Sequence, residues 1–183
     1  AKYAQAEARI GERVTGFGEQ FANANWGFDQ LGTQLFSTNW MPYGRAFGIG
    51  LAKGSHDLIG SWTAMVTALR ESGVAHFNCS VLSGFIEEAG RINQGVDRQI
   101  LDGCLDDPLL RPSIRFLHPS HDFTDADLER CMSALAHPEV GAWSFGDLLW
   151  RQEFAALPAE KLLELAVMLL EKPNGDEAIL DAL

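Results

Sequence analysis

Ser55-His56-Asp57-Leu58-Ile59-Gly60-Ser61-Trp62-Thr63-Ala64-Met65-Val66-Thr67-Ala68-Leu69-Arg70-Glu71-Ser72-Gly73 sets the class of the fold. Leu58, Ile59, Trp62, Met65, Val66 and Leu69 recur at steps of three and four, so they share one wide face of a helix. Ser55 is a residue type suited to the N-cap just ahead of this stripe, and Gly73 supplies a stop just after it.

The same period continues outward in both directions, and alternating strand-like runs are hard to find. Upstream, Ile10, Val14, Phe17 and Phe21 predict a first helix and Phe28, Leu31 and Leu35 a short second one; Pro42 to Ala52 reads as a glycine-punctuated third, with Pro42 in its first turn and Gly54 as its C-terminal cap. Downstream, Phe77, Val81, Leu82, Phe85, Ile86 and Ala89 form a partner stripe. Val96, Ile100, Leu101, Cys104 and Leu105 follow, then a Pro108-initiated segment with Leu109, Leu110, Ile114 and Leu117. Thr124 and Asp127 have capping-box spacing ahead of Leu128, Cys131, Met132 and Leu135, and Pro138 marks the end of that helix. From Ser144 a helix through Leu148, Leu149, Trp150 and Phe154 is predicted. Pro158 opens a strongly apolar helix stopped by Pro173-Asn174-Gly175.

Grouped in pairs, these helices start near Ser55, Gly95, Thr124 and Pro158, with partners near His76, Pro108, Ser144 and Asp176. A period of roughly 30 to 40 residues is the mark of a helical repeat. The expected fold is therefore all-α, an α-solenoid of stacked antiparallel helix pairs; a single irregular helical bundle is the alternative, since its short connections look much the same. Residues 1–54 read as N-terminal helices forming a cap or connector, and 55–183 as the repeat region. The chain starts without methionine, and Asp176 to Leu183 looks like the opening of another amphipathic helix, so a piece of a larger protein is expected.

The irregular helix pairs over about residues 40–183 resemble HEAT-like and tetratricopeptide-like repeats, although no strict consensus recurs. The acidic, Trp- and Leu-rich style also resembles the helical arms of large bacterial signal-transducing ATPases. Both resemblances imply a protein-binding or scaffolding module, with a structural spacer or oligomerisation arm as the plainer variant.

Composition narrows the partners. With 46% apolar and 21% charged residues among 183, the chain is of ordinary globular type. A formal net charge of -11 repels a phosphate backbone, so nucleic acid is not expected as a partner. No apolar run approaches the roughly 18 residues that span a bilayer, and the N-terminus has no signal-peptide core. No membrane association is expected, and the location read from these features is cytoplasmic. Cys79, Cys104 and Cys131 are odd in number and lie on apolar stripes, which suits buried thiols. The expected partner is another protein, or another part of the same chain, with no cofactor.

Residues with chemical potential are few. His56-Asp57 resembles the signature of HD-domain phosphohydrolases, which implies a divalent metal held by imidazole and carboxylate. That family needs a histidine upstream of the pair, and none precedes His56. His118-Pro119-Ser120-His121-Asp122 offers two more imidazoles and a carboxylate in one loop. His56, Asp57, His118, His121 and Asp122 thus form the alternative metal set. The simpler reading gives Asp57 to the first turn of a helix, with His56 exposed, and gives His118 to Asp122 to a solvated loop. The glycine-rich run ending Lys53-Gly54-Ser55 has the wrong order for a phosphate loop and no strand before it, so its glycines read as close helix contacts. No Gly-x-Ser-x-Gly elbow is present.

The aromatics are the stronger lead. Trp143, Trp150, Phe154 and Leu157 fall at helical steps, while Trp26, Trp40 and Tyr43 cluster near the N-terminal turns. Trp143, Trp150, Trp40 and Tyr43 are the candidate binding residues, because buried aromatic anchors dominate protein interfaces. Filling the core between helices is their plainer role.

Overall fold

A computed structural model describes residues 2–24, 27–28, 32–36, 41–74, 76–118, 123–149 and 157–180. It is helical throughout, with no strand among the described residues. Among those residues no helix is long and apolar enough to cross a membrane. The chain divides into two compact units, Ala1–Ile100 and Leu101–Leu183. The boundary falls inside a helix, α5 (Val96–Asp106).

The first unit holds α1 (Lys2–Asn23), a 3-10 helix (Gly32–Phe36), α2 (Gly44–Gly54), α3 (Leu58–Glu71) and α4 (Ser80–Ile92). α2 packs against α1 on one side and α4 on the other. Glycine makes both approaches possible. A β-carbon at Gly48 would run into the Val81 carbonyl and come within 2.9 Å of the Phe85 nitrogen of α4; one at Gly50 would collide with the Thr15 carbonyl of α1. Gly18 and Gly84 return the same contact from α1 and α4. The glycine run is therefore a two-sided packing surface, as its spacing suggests. α1, α2 and α4 thus lie in one unit, with α2 between the other two.

Elsewhere the unit is closed by larger groups. Trp62 of α3 lies against Phe85 with ring centroids 6.2 Å apart, and Leu35, Phe36, Met65 and Leu69 are buried. The buried carboxylate of Glu87 on α4 pairs with Arg45 of α2 and, at 2.6 Å, with Arg91. A buried charge is tolerated only with such partners.

The second unit continues from α5 through a 3-10 turn (Arg111–Ser113) into α6 (Ile114–Leu117), then α7 (Asp125–Leu135), two 3-10 turns (Ala142–Ser144 and Gly146–Leu149), α8 (Ala159–Leu170) and α9 (Gly175–Leu180). Arg111 fastens the return from α7 by reaching the Leu105 carbonyl, His137 and Glu139. Lys172, just after α8, donates to the His137 carbonyl at 2.7 Å.

Several local expectations are corrected. Asp57, not Ser55, caps α3: its Oδ1 accepts from the Gly60 amide at 2.9 Å, while the Ser55 hydroxyl donates back to the Leu51 carbonyl and closes α2. The segment after Pro108 is a turn and a short 3-10 stretch before α6, not a continuous helix. Over the described part of the helix expected from Ser144, up to Leu149, 3-10 turns interrupted at Phe145 take its place. Ala142, Phe145 and Leu148 are all fully buried. Their steps of three suit a turn of three residues, not 3.6.

Candidate functional site

Asp57 and His56 adjoin one another at the start of α3, both exposed. They border an open groove of about 910 Å³ in the first unit, whose walls include Ala22, Phe28, Ser61 and Thr67. The Asp57 carboxylate is already committed to the helix N-terminus.

His118 belongs to the second unit and is buried, at the C-cap of α6. Its Nδ1 lies 3.2 Å from Asp127 Oδ1, and its ring meets Phe123 edge-on at 5.3 Å. Asp127 closes the expected capping box: the Thr124 amide and hydroxyl donate to its Oδ2 at 2.8 and 2.7 Å, and Arg130 donates to Oδ1 at 2.9 Å. Burial alone would raise the Asp127 pKa; hydrogen bonds from His118 and Thr124 outweigh it and hold the carboxyl well below the usual range. This arrangement fixes the start of α7 and sets the His118 ring beside a structural carboxylate. His121 and Asp122 lie outside the described residues. Among the described residues, no group of three or more His, Cys, Asp or Glu is placed to hold a metal ion.

Of the aromatic candidates, Trp40 and Trp150 lie outside the described residues, as do Trp26 and Phe154. Tyr43 is half-buried in the left-handed conformation, φ 68°, at the N-cap of α2. Trp143 sits in the Ala142–Ser144 turn and is 53% exposed. Leu157, expected on the same face, is buried. Trp143 stands in a 3-10 turn that ends at Ser144, not in the expected α-helix.

A different surface emerges on α8. Leu165 and Leu169 are fully buried, but Leu163, Val167 and Leu170 on the opposite side are 67%, 50% and 59% exposed. They follow one another at steps of four and three, forming a continuous outward ridge. The sequence marks this helix as strongly apolar without dividing its residues between faces. The signal was present, since apolar residues surround α8 almost completely, more than one buried face requires.

Glu160, Glu164 and Glu171 are exposed beside the ridge. Lys161 is drawn onto α7, with its Nζ 2.6 Å from Glu129 and 3.6 Å from Asp125. The hydrogen bond to Glu129 raises its pKa, slight burial opposing. The site is thus an apolar strip with acid at its margin. No family model, no curated protein and no solved structure matches the chain.

Proposed function

We propose that this chain is a protein-binding or scaffolding helical-repeat module, built as a solenoid of antiparallel helix pairs, that engages another protein or another part of its own chain through the outward face of α8. The carrying observation is the exposed ridge of Leu163, Val167 and Leu170. Large apolar side chains held in water at i, i+4 and i+7 lose hydration cost on association, and such patches mark interaction surfaces. Trp143, exposed on the same unit, adds a side chain of the kind that anchors interfaces. The stacking reading draws support from the order of packing in the second unit, where α6 meets α7, α7 meets α8 and α8 meets α9.

The test is site-specific photo-crosslinking in the cell of origin. A benzoylphenylalanine at Val167 is expected to give discrete adducts absent when the probe stands at Ser133, exposed on α7. No adduct at Val167, or the same adducts from both positions, would overturn the reading.

A further inference from the structure

The outward face of α8 has two strips with different chemistry. At about 100° per residue, Leu163, Val167 and Leu170 fall within about 60° of one another around the helix axis. Glu160, Glu164 and Glu171 all fall to one side, about 60° to 100° round from Leu163. All six are exposed. The lysine in the helix, Lys161, points about 160° away from Leu163 and is held by Glu129 and Asp125 of α7. The apolar strip therefore carries an acidic edge on one side.

The spacing of the strip is that of the seam between two helices wound side by side, in which every third or fourth residue enters the partner. The strip and its edge extend about 16.5 Å, from Glu160 to Glu171, at about 1.5 Å per residue. That length accommodates roughly three turns of a second helix. Three carboxylates along one edge repel an acidic partner and attract a basic one, and the net charge of -11 adds to both effects at longer range.

We propose that the occupant of the α8 ridge is an amphipathic helix with leucine-like residues along its seam and lysine or arginine along the edge that meets Glu160, Glu164 and Glu171. This deepens the protein-binding reading and rests on it. The apolar seam supplies most of the affinity; the charged edge selects the partner and speeds encounter.

Three labelled synthetic peptides test the inference. Each has the same leucine seam, with edge positions filled by lysine, glutamine or glutamate. Fluorescence anisotropy is measured against the 183-residue chain and against two variants, Leu163→Ser/Val167→Ser and Glu160→Gln/Glu164→Gln/Glu171→Gln. The lysine-edged peptide is expected to bind about tenfold or more tighter than the glutamine-edged one, the glutamate-edged peptide weakest, with the gap closing at about 0.5 M salt. The triple glutamine variant should abolish the lysine preference while keeping the binding of the glutamine-edged peptide. The serine variant, which leaves the charge unaltered, should weaken all binding. Equal or tighter binding of the glutamine- or glutamate-edged peptide, with the serine variant still damaging, would overturn the basic-helix inference and leave the ridge as a binding surface. Binding that ignores the serine variant, or no binding by any peptide, would overturn the ridge itself.

Discussion

The Nζ of Lys161 lies 2.6 Å from Oε1 of Glu129, so the first turn of α8 is tied to α7 and its positive charge is taken off the outward face. The hydrogen bond raises the Lys161 pKa. A group whose folded pKa is raised contributes its stabilisation below the unfolded value and loses it as pH climbs through the folded one. The contact is therefore intact at neutral pH and fails only above the ordinary lysine range. In Glu129→Gln, the Lys161 titration followed by nitrogen NMR should move to lower pH. A titration unchanged from wild type would show that the pair does not hold.

Asp127 behaves in the opposite sense. Its carboxyl is held well below the usual range by His118 and Thr124 against the effect of burial. The stabilisation is complete above the unfolded carboxylate value, about 3.9, and is lost as pH falls below it. Asp127→Asn should cost about 1 to 2 kcal/mol at pH 7, the scale of a lost helix cap with its charged hydrogen bonds. In urea unfolding the gap between wild type and variant should narrow steadily from pH 4 to pH 2. A gap that stays constant would deny the carboxylate its role.

The two faces of α8 should separate cleanly in stability. Leu165→Ala removes a fully buried side chain and is expected to cost about 2 to 4 kcal/mol. Leu163→Ser touches an exposed one and should cost less than about 1 kcal/mol, mostly through helix propensity. Denaturant midpoints of the pair check the assignment, and comparable losses would place Leu163 in the core.

Glycines give a third contrast. Gly48→Ala drives a methyl into the Val81 carbonyl and should destabilise by about 2 kcal/mol or more, as overpacking against main chain does. Gly103 lies within α5, exposed, with nothing within 4 Å of its would-be β-carbon. Gly103→Ala should therefore stabilise by about 0.5 to 1 kcal/mol, the usual helix preference for alanine. Thermal melts in which Gly48→Ala leaves Tm unchanged or raises it would contradict the packing of α2, and a lowered Tm in Gly103→Ala would contradict the open space beside α5.

The helical class was legible because the stripe from Leu58 to Leu69 and its neighbours carry period and punctuation together. Thr124 and Asp127 announced their helix start by spacing alone. Asp57 was misassigned because Ser55 is an equally good capping residue in sequence; only the path of the backbone gives Ser55 to the end of α2. The described part of the helix expected from Ser144, up to Leu149, has another period, since short apolar runs fit 3.0 and 3.6 residues per turn alike and burial decides between them. The α8 ridge was hidden for another reason. The sequence shows that α8 is apolar over more than one face, but which face finds neighbours depends on contacts with α7 and α9 that no local pattern records.

Glycine contacts between α1, α2 and α4 also have a mechanical meaning. Side chains at an ordinary helix interface can change rotamer, so one helix slides a little before the next responds. Around Gly18, Gly48, Gly50 and Gly84 main chain meets main chain, and there is no such slack. A shift of α1 therefore meets α2, and a shift of α2 meets α4, through main chain at these points and not through adjustable side chains.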